Sequence, residues 1–164
     1  MNCAPAVAAL QTTLAFSPET AHKGTIAACL SYRSHPLESN TVTDETFRQD
    51  EAFFLGEAMK GNAEWYGKLM ADHTALDWRD SICATLGPES GSATKVFVVA
   101  SHRSGCFPAE GPLKAVGFVN GFEKEGKAIG VAVDWGGHWC YWEKPELFNK
   151  LVLEFLDGIA PTEQ

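Results

Sequence analysis

The amino-acid sequence predicts an α/β fold: a helical segment in front, then strand, helix, strand and helix, with a sheet left incomplete. Three observations carry that prediction. Apolar residues recur at helical spacing over residues 43–86. Two short runs, 96–100 and Ala128–Val133, are apolar on both faces, as buried parallel strands are, and a helix-spaced segment separates them. The stretch Pro145–Leu156 is an amphipathic helix with clear start and stop signals.

Taken in order, residues 1–42 read as a loose N-terminal arm, rich in small and polar residues and broken by Pro5, Pro18 and Pro36, with a helix-compatible run at 25–32. The domain proper is expected over 43–164. At Thr43 the pattern changes: Asp44 can cap, acidic residues crowd the first turn, and Phe47, Phe54, Leu55, Ala58 and Met59 share one helical face. Gly61-Asn62 stops that helix. Trp65, Tyr66, Leu69 and Met70 predict a second, packed at an angle to the first, and 77–86 a third, closed by Gly87-Pro88. A flexible Gly/Ser stretch is expected at 87–93, then the first strand and a Gly- and Pro-rich loop. Leu113, Val116, Gly117, Val119 and Phe122 space like a helix, and Ala128–Val133 is the second strand, ending at Asp134. In the final helix Pro145 suits the first position and Glu146 the positive end. Leu147, Phe148, Leu151, Val152, Phe155 and Leu156 form the buried stripe, and Gly158 closes it. Two parallel strands cannot bury both faces alone, so the unit implies further strands, earlier in a longer chain or from a partner.

Composition narrows the function classes. A chain of 164 residues with 45% apolar and 21% charged residues is expected to fold as one domain. Its net charge of -8 and scattered cations exclude a basic face for nucleic acid. No run approaches the roughly 18 apolar residues of a membrane span. Five cysteines at irregular spacing argue against a disulfide framework and for a reducing compartment, hence a soluble cytoplasmic protein. A peroxisomal location is the alternative, although the tail Thr162-Glu163-Gln164 carries no address of the Ser-Lys-Leu type.

In open α/β sheets the chemistry lies in loops at the carboxyl ends of the strands. Two loops qualify: Ser101-His102-Arg103-Ser104-Gly105-Cys106-Phe107-Pro108-Ala109-Glu110 and Asp134-Trp135-Gly136-Gly137-His138-Trp139-Cys140-Tyr141-Trp142. The paired glycines allow a tight turn that projects His138 over the sheet edge as a candidate general base, and the aromatics around it can wall an apolar pocket. The alternative is a histidine that only hydrogen-bonds within a packed loop. Trp139 and Trp142 are the candidate substrate-binding aromatics, and Arg103 a candidate clamp for an acidic group or a solvated cation. Cys106 could pair with His138 as a thiol nucleophile or be a small inert hydrophobe. A zinc site from His102, Cys106, His138 and Cys140 lacks the paired spacings of structural zinc, so no metal and no cofactor are expected.

Strand, Gly-Gly-His loop and C-terminal amphipathic helix together resemble the end of α/β-hydrolases of the esterase and non-haem haloperoxidase type. The resemblance covers about residues 43–158, and the wording Arg103-Ser104-Gly105-Cys106-Phe107-Pro108 resembles fungal secondary-metabolite hydrolases, toxin-cluster members among them. It implies that the helices over 43–86 are a lid, that His138 is the triad base, and that the activity is hydrolysis of an ester, thioester or lactone. The chain departs from that family in two places. No Gly-x-Ser-x-Gly occurs; Gly87-Pro88-Glu89-Ser90-Gly91 precedes a strand instead of following one. The family's aspartate, four residues before the loop proline, is replaced by Ser104, leaving Glu110 or Asp134 as substitutes, Glu110 the better placed.

The expectation is therefore a hydrolase-like, truncated chain without its nucleophile, acting on a small-molecule substrate. The alternatives are a non-catalytic protein that binds an apolar ligand or completes its sheet in a homo-oligomer or with a second chain, and a Cys106-His138 thiol enzyme.

Overall fold

The computed structural model describes residues 4–34, 44–122 and 126–161. Thr43, Pro36 and the tail 162–164 lie outside the described residues, as do the side chains of Asp44 and Phe47. The chain is mixed helix and sheet, compatible with an incomplete α/β fold. It runs α1 (Ala4–Phe16), α2 (Pro18–Cys29), α3 (Ser31–Ser34), α4 (Asp44–Ala58), α5 (Ala63–Ala75), α6 (Arg79–Leu86), a 3-10 turn (Pro88–Ser90), β1 (Val96–Ser101), α7 (Glu110–Asn120), β2 (Ala128–Val133), α8 (Cys140–Glu143) and α9 (Pro145–Leu156).

The expected loose arm is helical over its described residues except at Ser17 and Leu30. Its prolines occupy the opening positions of α1 and α2, where a missing N–H costs nothing, and alanine and leucine fill the turns behind Pro5. Ser17 bridges the two helices: its carbonyl accepts the Ala21 amide at 3.1 Å and its hydroxyl donates to Thr20 Oγ1 at 2.7 Å.

The chain divides into two compact units, one of Met1–Ala27 with Glu38–Asp77 and one of Ala28–Leu37 with Trp78–Gln164. The first three helices of residues 43–86 are thus shared out, α4 and α5 going with α1 and α6 with the strands. Within the first unit α5 packs along α1, with Leu14 buried and Gln11 Nε2 donating to the Gly67 carbonyl at 3.1 Å. Gly67 faces Gln11 and Leu14 at this contact, while Trp65 and Leu69 are exposed. On α4, Phe54, Leu55 and Ala58 are half-buried and Met59 is exposed, a weaker apolar stripe than the spacing predicts. Asn62 both ends that region and caps α5, its side chain accepting the Trp65 amide at 3.1 Å.

In the second unit β1 and β2 pair in parallel, with Val96 opposite Ala128 and Ser101 opposite Val133. Side chains alternate between faces. Val131 and Val133 pack with Leu151 of α9 and with Phe97, Val99 and Trp135, and the Phe97 and Phe155 rings stack at 5.0 Å. The other face takes α7, whose approach depends on Gly130: a Cβ there would stand 2.8 Å from both Leu113 and Val116 side chains. Helices thus cover both faces of two strands, and each strand has a single strand neighbour among the described residues.

Two connections are more ordered than expected. The stretch 87–93 is gathered around Lys127, whose Nζ donates to Ser92 O at 2.6 Å and lies 3.4 Å from Gly87 O and Ser90 Oγ. Asn120, buried at the end of α7, exchanges two hydrogen bonds of 2.9 Å with the backbone of Ala128, which sets the start of β2. At the far end Gly158 is left-handed (φ 74), and the Ile159 and Gly158 amides reach back to Glu154 and Phe155 carbonyls, the paired closure predicted for that glycine.

Candidate functional site

The two candidate loops leave the carboxyl ends of β1 and β2 and meet. The ladder continues one step past the strands, from the His102 amide to the Val133 carbonyl at 3.0 Å. Ser101, buried at the end of β1, then donates its hydroxyl to Gly136 O at 2.6 Å and accepts the Arg103 amide at 3.0 Å. One hydroxyl therefore shapes both loops.

The paired glycines have different reasons to be glycine. Gly136 is left-handed (φ 68), a conformation that L side chains rarely adopt. Gly137 has no room: a Cβ would press directly on the Cys29 carbonyl and stand 2.7 Å from the Ser31 amide nitrogen. The end of α2 lies there because Cys29 O accepts the Trp139 amide at 3.1 Å and Ala28 O the Gly105 amide at 3.0 Å. Glu143, in the short helix α8, completes the knot. Its carboxylate accepts Ser31 N at 2.9 Å, Ser31 Oγ at 2.6 Å and Gly137 N at 2.6 Å. Sequence reasoning assigned nothing to Ser31 or Glu143, which stand 112 positions apart.

His138 emerges at the top of this knot, exposed on one side and tilted against Phe107 on the other, with ring centroids 5.7 Å apart. Its Nδ1 faces Ser104 Oγ at 3.5 Å, the outer limit of a hydrogen bond. That oxygen also accepts the Cys106 and Phe107 amides, each at 3.2 Å. A hydroxyl has two acceptor lone pairs and one proton, so with both lone pairs engaged the proton is what remains for Nδ1. The ring is thereby favoured as the Nε2–H tautomer. Packing of protein around the ring lowers the His138 pKa below its ordinary value by desolvation.

The substitute acids do not reach it. Glu110 is exposed as the first residue of α7 and Asp134 is exposed at the end of β2, and among the described residues neither makes a hydrogen bond or ion pair with His138. Trp139 is half-buried and Trp142 exposed, and Phe107 is an aromatic in contact with the histidine. Arg103 is half-buried in the first loop. The thiol neighbour of Cys106 is Cys29, with the two sulfurs 3.4 Å apart. The contact between the two thiols lowers the pKa of Cys106, while the same contact and burial push the Cys29 pKa up. Burial raises Cys140. Among the described residues no group of three or more His, Cys, Asp and Glu side chains is arranged to hold a metal, and no helix is long and apolar enough to cross a membrane.

A groove of about 490 Å³ in the first unit is lined by Gln11, Leu14, Ala15, Gly67 and the ion-paired Glu64 and Lys68 among others. The site residues named from the sequence all lie in the second unit. No family model, curated protein or solved structure matches this chain.

Proposed function

We propose that this chain is the histidine-bearing portion of an α/β-hydrolase-type protein, whose full activity is hydrolysis of an ester, thioester or lactone. What supports the reading is the meeting of the two strand-end loops, which brings the His138 ring against Ser104, the residue standing where the family carries its aspartate. In a triad the carboxylate accepts Nδ1–H, leaves the Nε2 lone pair free as base, and stabilises the imidazolium that forms. A serine hydroxyl that donates to Nδ1 does the opposite on both counts. No Gly-x-Ser-x-Gly occurs in residues 1–164, so on this reading the serine nucleophile lies outside them. The secondary-metabolite association of the loop wording belongs to the same proposal.

Two measurements test it. The purified chain is incubated with short-chain nitrophenyl esters and a fluorophosphonate probe; we expect neither turnover above the His138→Gln background nor serine labelling, and either one overturns the nucleophile-free part. Transcript sequence upstream of the Met1 codon tests the ancestry: a continuous frame encoding strands and Gly-x-Ser-x-Gly supports it, and a frame without them removes it.

A second reading is favoured by the sheet itself. Among the described residues each strand has only one strand neighbour, and Leu153 and Leu156 of α9 and Ile159 just after it are exposed, so a second chain can complete the sheet. Mass in solution discriminates: a monodisperse homodimer supports it, a stable monomer does not.

A further inference from the structure

The strongest unassigned feature is a pair of thiols held in contact by backbone. Cys29 and Cys106 are 77 positions apart, yet their sulfurs lie 3.4 Å from each other. The residues just before them are joined by the Gly105 N–H to Ala28 O bond of 3.0 Å, and Cys29 O is held in turn by the Trp139 amide at 3.1 Å. The two main chains are thus fixed side by side, and the thiols meet because their backbones do. Their exposures differ: Cys29 is 2% exposed and Cys106 half-buried. Attack from solvent therefore falls on Cys106, with Cys29 waiting behind it.

We propose that Cys29 and Cys106 form a reversible dithiol-disulfide couple, in which Cys106 is oxidised by a hydroperoxide and Cys29 resolves the product. The Cys106 thiolate attacks one peroxide oxygen; the O–O bond breaks, the leaving oxygen takes a proton, and Cys106 becomes a sulfenic acid. Cys29 sulfur then attacks Cys106 sulfur, the S–O bond breaks, and the departing hydroxide leaves as water with the Cys29 proton. Two thiols lose two electrons and the peroxide gains them. The order follows from access: Cys106 is the half-buried member of the pair and Cys29, 2% exposed, stands 3.4 Å behind it.

Among the described residues the other cysteines lack the arrangement. Cys83 is exposed but its recorded neighbour is the Phe118 carbonyl at 3.8 Å, and Cys140 is buried. The disulfide has a consequence at the candidate site, since the Cys106 amide donates to Ser104 Oγ, the group facing His138. The proposal stands independently of the hydrolase reading.

The test uses the full reduced chain, treated with equimolar hydrogen peroxide, quenched with maleimide and mapped by peptide mass spectrometry. We expect two of the five thiols to be lost, a Cys29-Cys106 cross-linked peptide about 2 Da lighter than its reduced parts, and full recovery with dithiothreitol. In Cys29→Ala the cross-link disappears and Cys106 is instead trapped by dimedone. Oxidation of Cys83 ahead of the pair, or dimedone labelling of Cys106 at equal levels in the wild type and Cys29→Ala, overturns the proposal. The wild-type map decides the matter even where a variant folds poorly.

Discussion

Ser104 Oγ lies 3.5 Å from His138 Nδ1 and accepts two backbone amides of its own loop, so it meets the ring with its proton. A carboxylate at that point would hold the opposite tautomer and favour the charged ring. With serine there, packing alone acts on the ring and lowers its pKa. Donation from Ser104 Oγ to Nδ1 would leave the ring proton on Nε2.

Replacing the hydroxyl by a carboxylate tests this directly. In Ser104→Asp the His138 pKa is expected to rise by about one unit or more, the direction a nearby opposite charge imposes. Ser104→Ala leaves it depressed, because desolvation is untouched. Proton NMR titration of the ring distinguishes the variants; equal midpoints in Ser104→Asp and the wild type would contradict the placement.

The knot beneath the histidine is expected to be costly to break. Glu143→Ala leaves the buried Ser31 hydroxyl, its amide and the Gly137 amide without their acceptor, a loss of roughly 3 kcal/mol by the usual cost of orphaned buried donors. Gly137→Ala drives a methyl into the Cys29 and Ser31 backbone and is expected to cost about 2 kcal/mol or more. Urea unfolding followed by tryptophan fluorescence measures both. Wild-type midpoints would show that the α2 end does not hold the loop.

The strand connection gives an independent check on the sheet. Asn120→Ala removes two buried hydrogen bonds to Ala128 and is expected to cost about 2 kcal/mol. Gly130→Val pushes α7 off the sheet through Leu113 and Val116, with a penalty of roughly 1–3 kcal/mol for overpacking. The same unfolding experiment reads them, and an unchanged midpoint for Gly130→Val would contradict the α7 packing.

Acidification is expected to weaken the fold through His138. Its folded pKa lies below the ordinary value, so the unfolded chain binds the proton more readily, and stability falls as pH drops from about 6.5 towards the folded pKa. Relative to His138→Gln, the wild type loses urea midpoint between about pH 7.5 and pH 5. A wild type that gains stability over the variant in that window would reverse the sign.

Much of the second unit was legible because its signals are local. Six-residue apolar runs bounded by Gly, Pro and Asp read as strands, and Pro145 and Gly158 punctuate α9 where the structure begins and closes it. The front of the chain misled for a local reason too: Pro5 and Pro18 break a pattern in mid-helix but start one at a helix N-terminus. What no local pattern carries is contact between distant positions. Cys29 sat unnoticed in a helix-compatible run, although its carbonyl fixes Trp139 and its thiol meets Cys106. Ser104 lies in plain view in the first loop, but its contact with His138 depends on how two loops fold back at the ends of β1 and β2.

The most direct measurement is the tautomer of His138 in the wild type near neutral pH, read from long-range proton-nitrogen NMR correlations of the ring. The Nε2–H form, with Nδ1 as acceptor from Ser104, is the predicted result. A ring carrying its proton on Nδ1, with Nε2 free as a base, would contradict it.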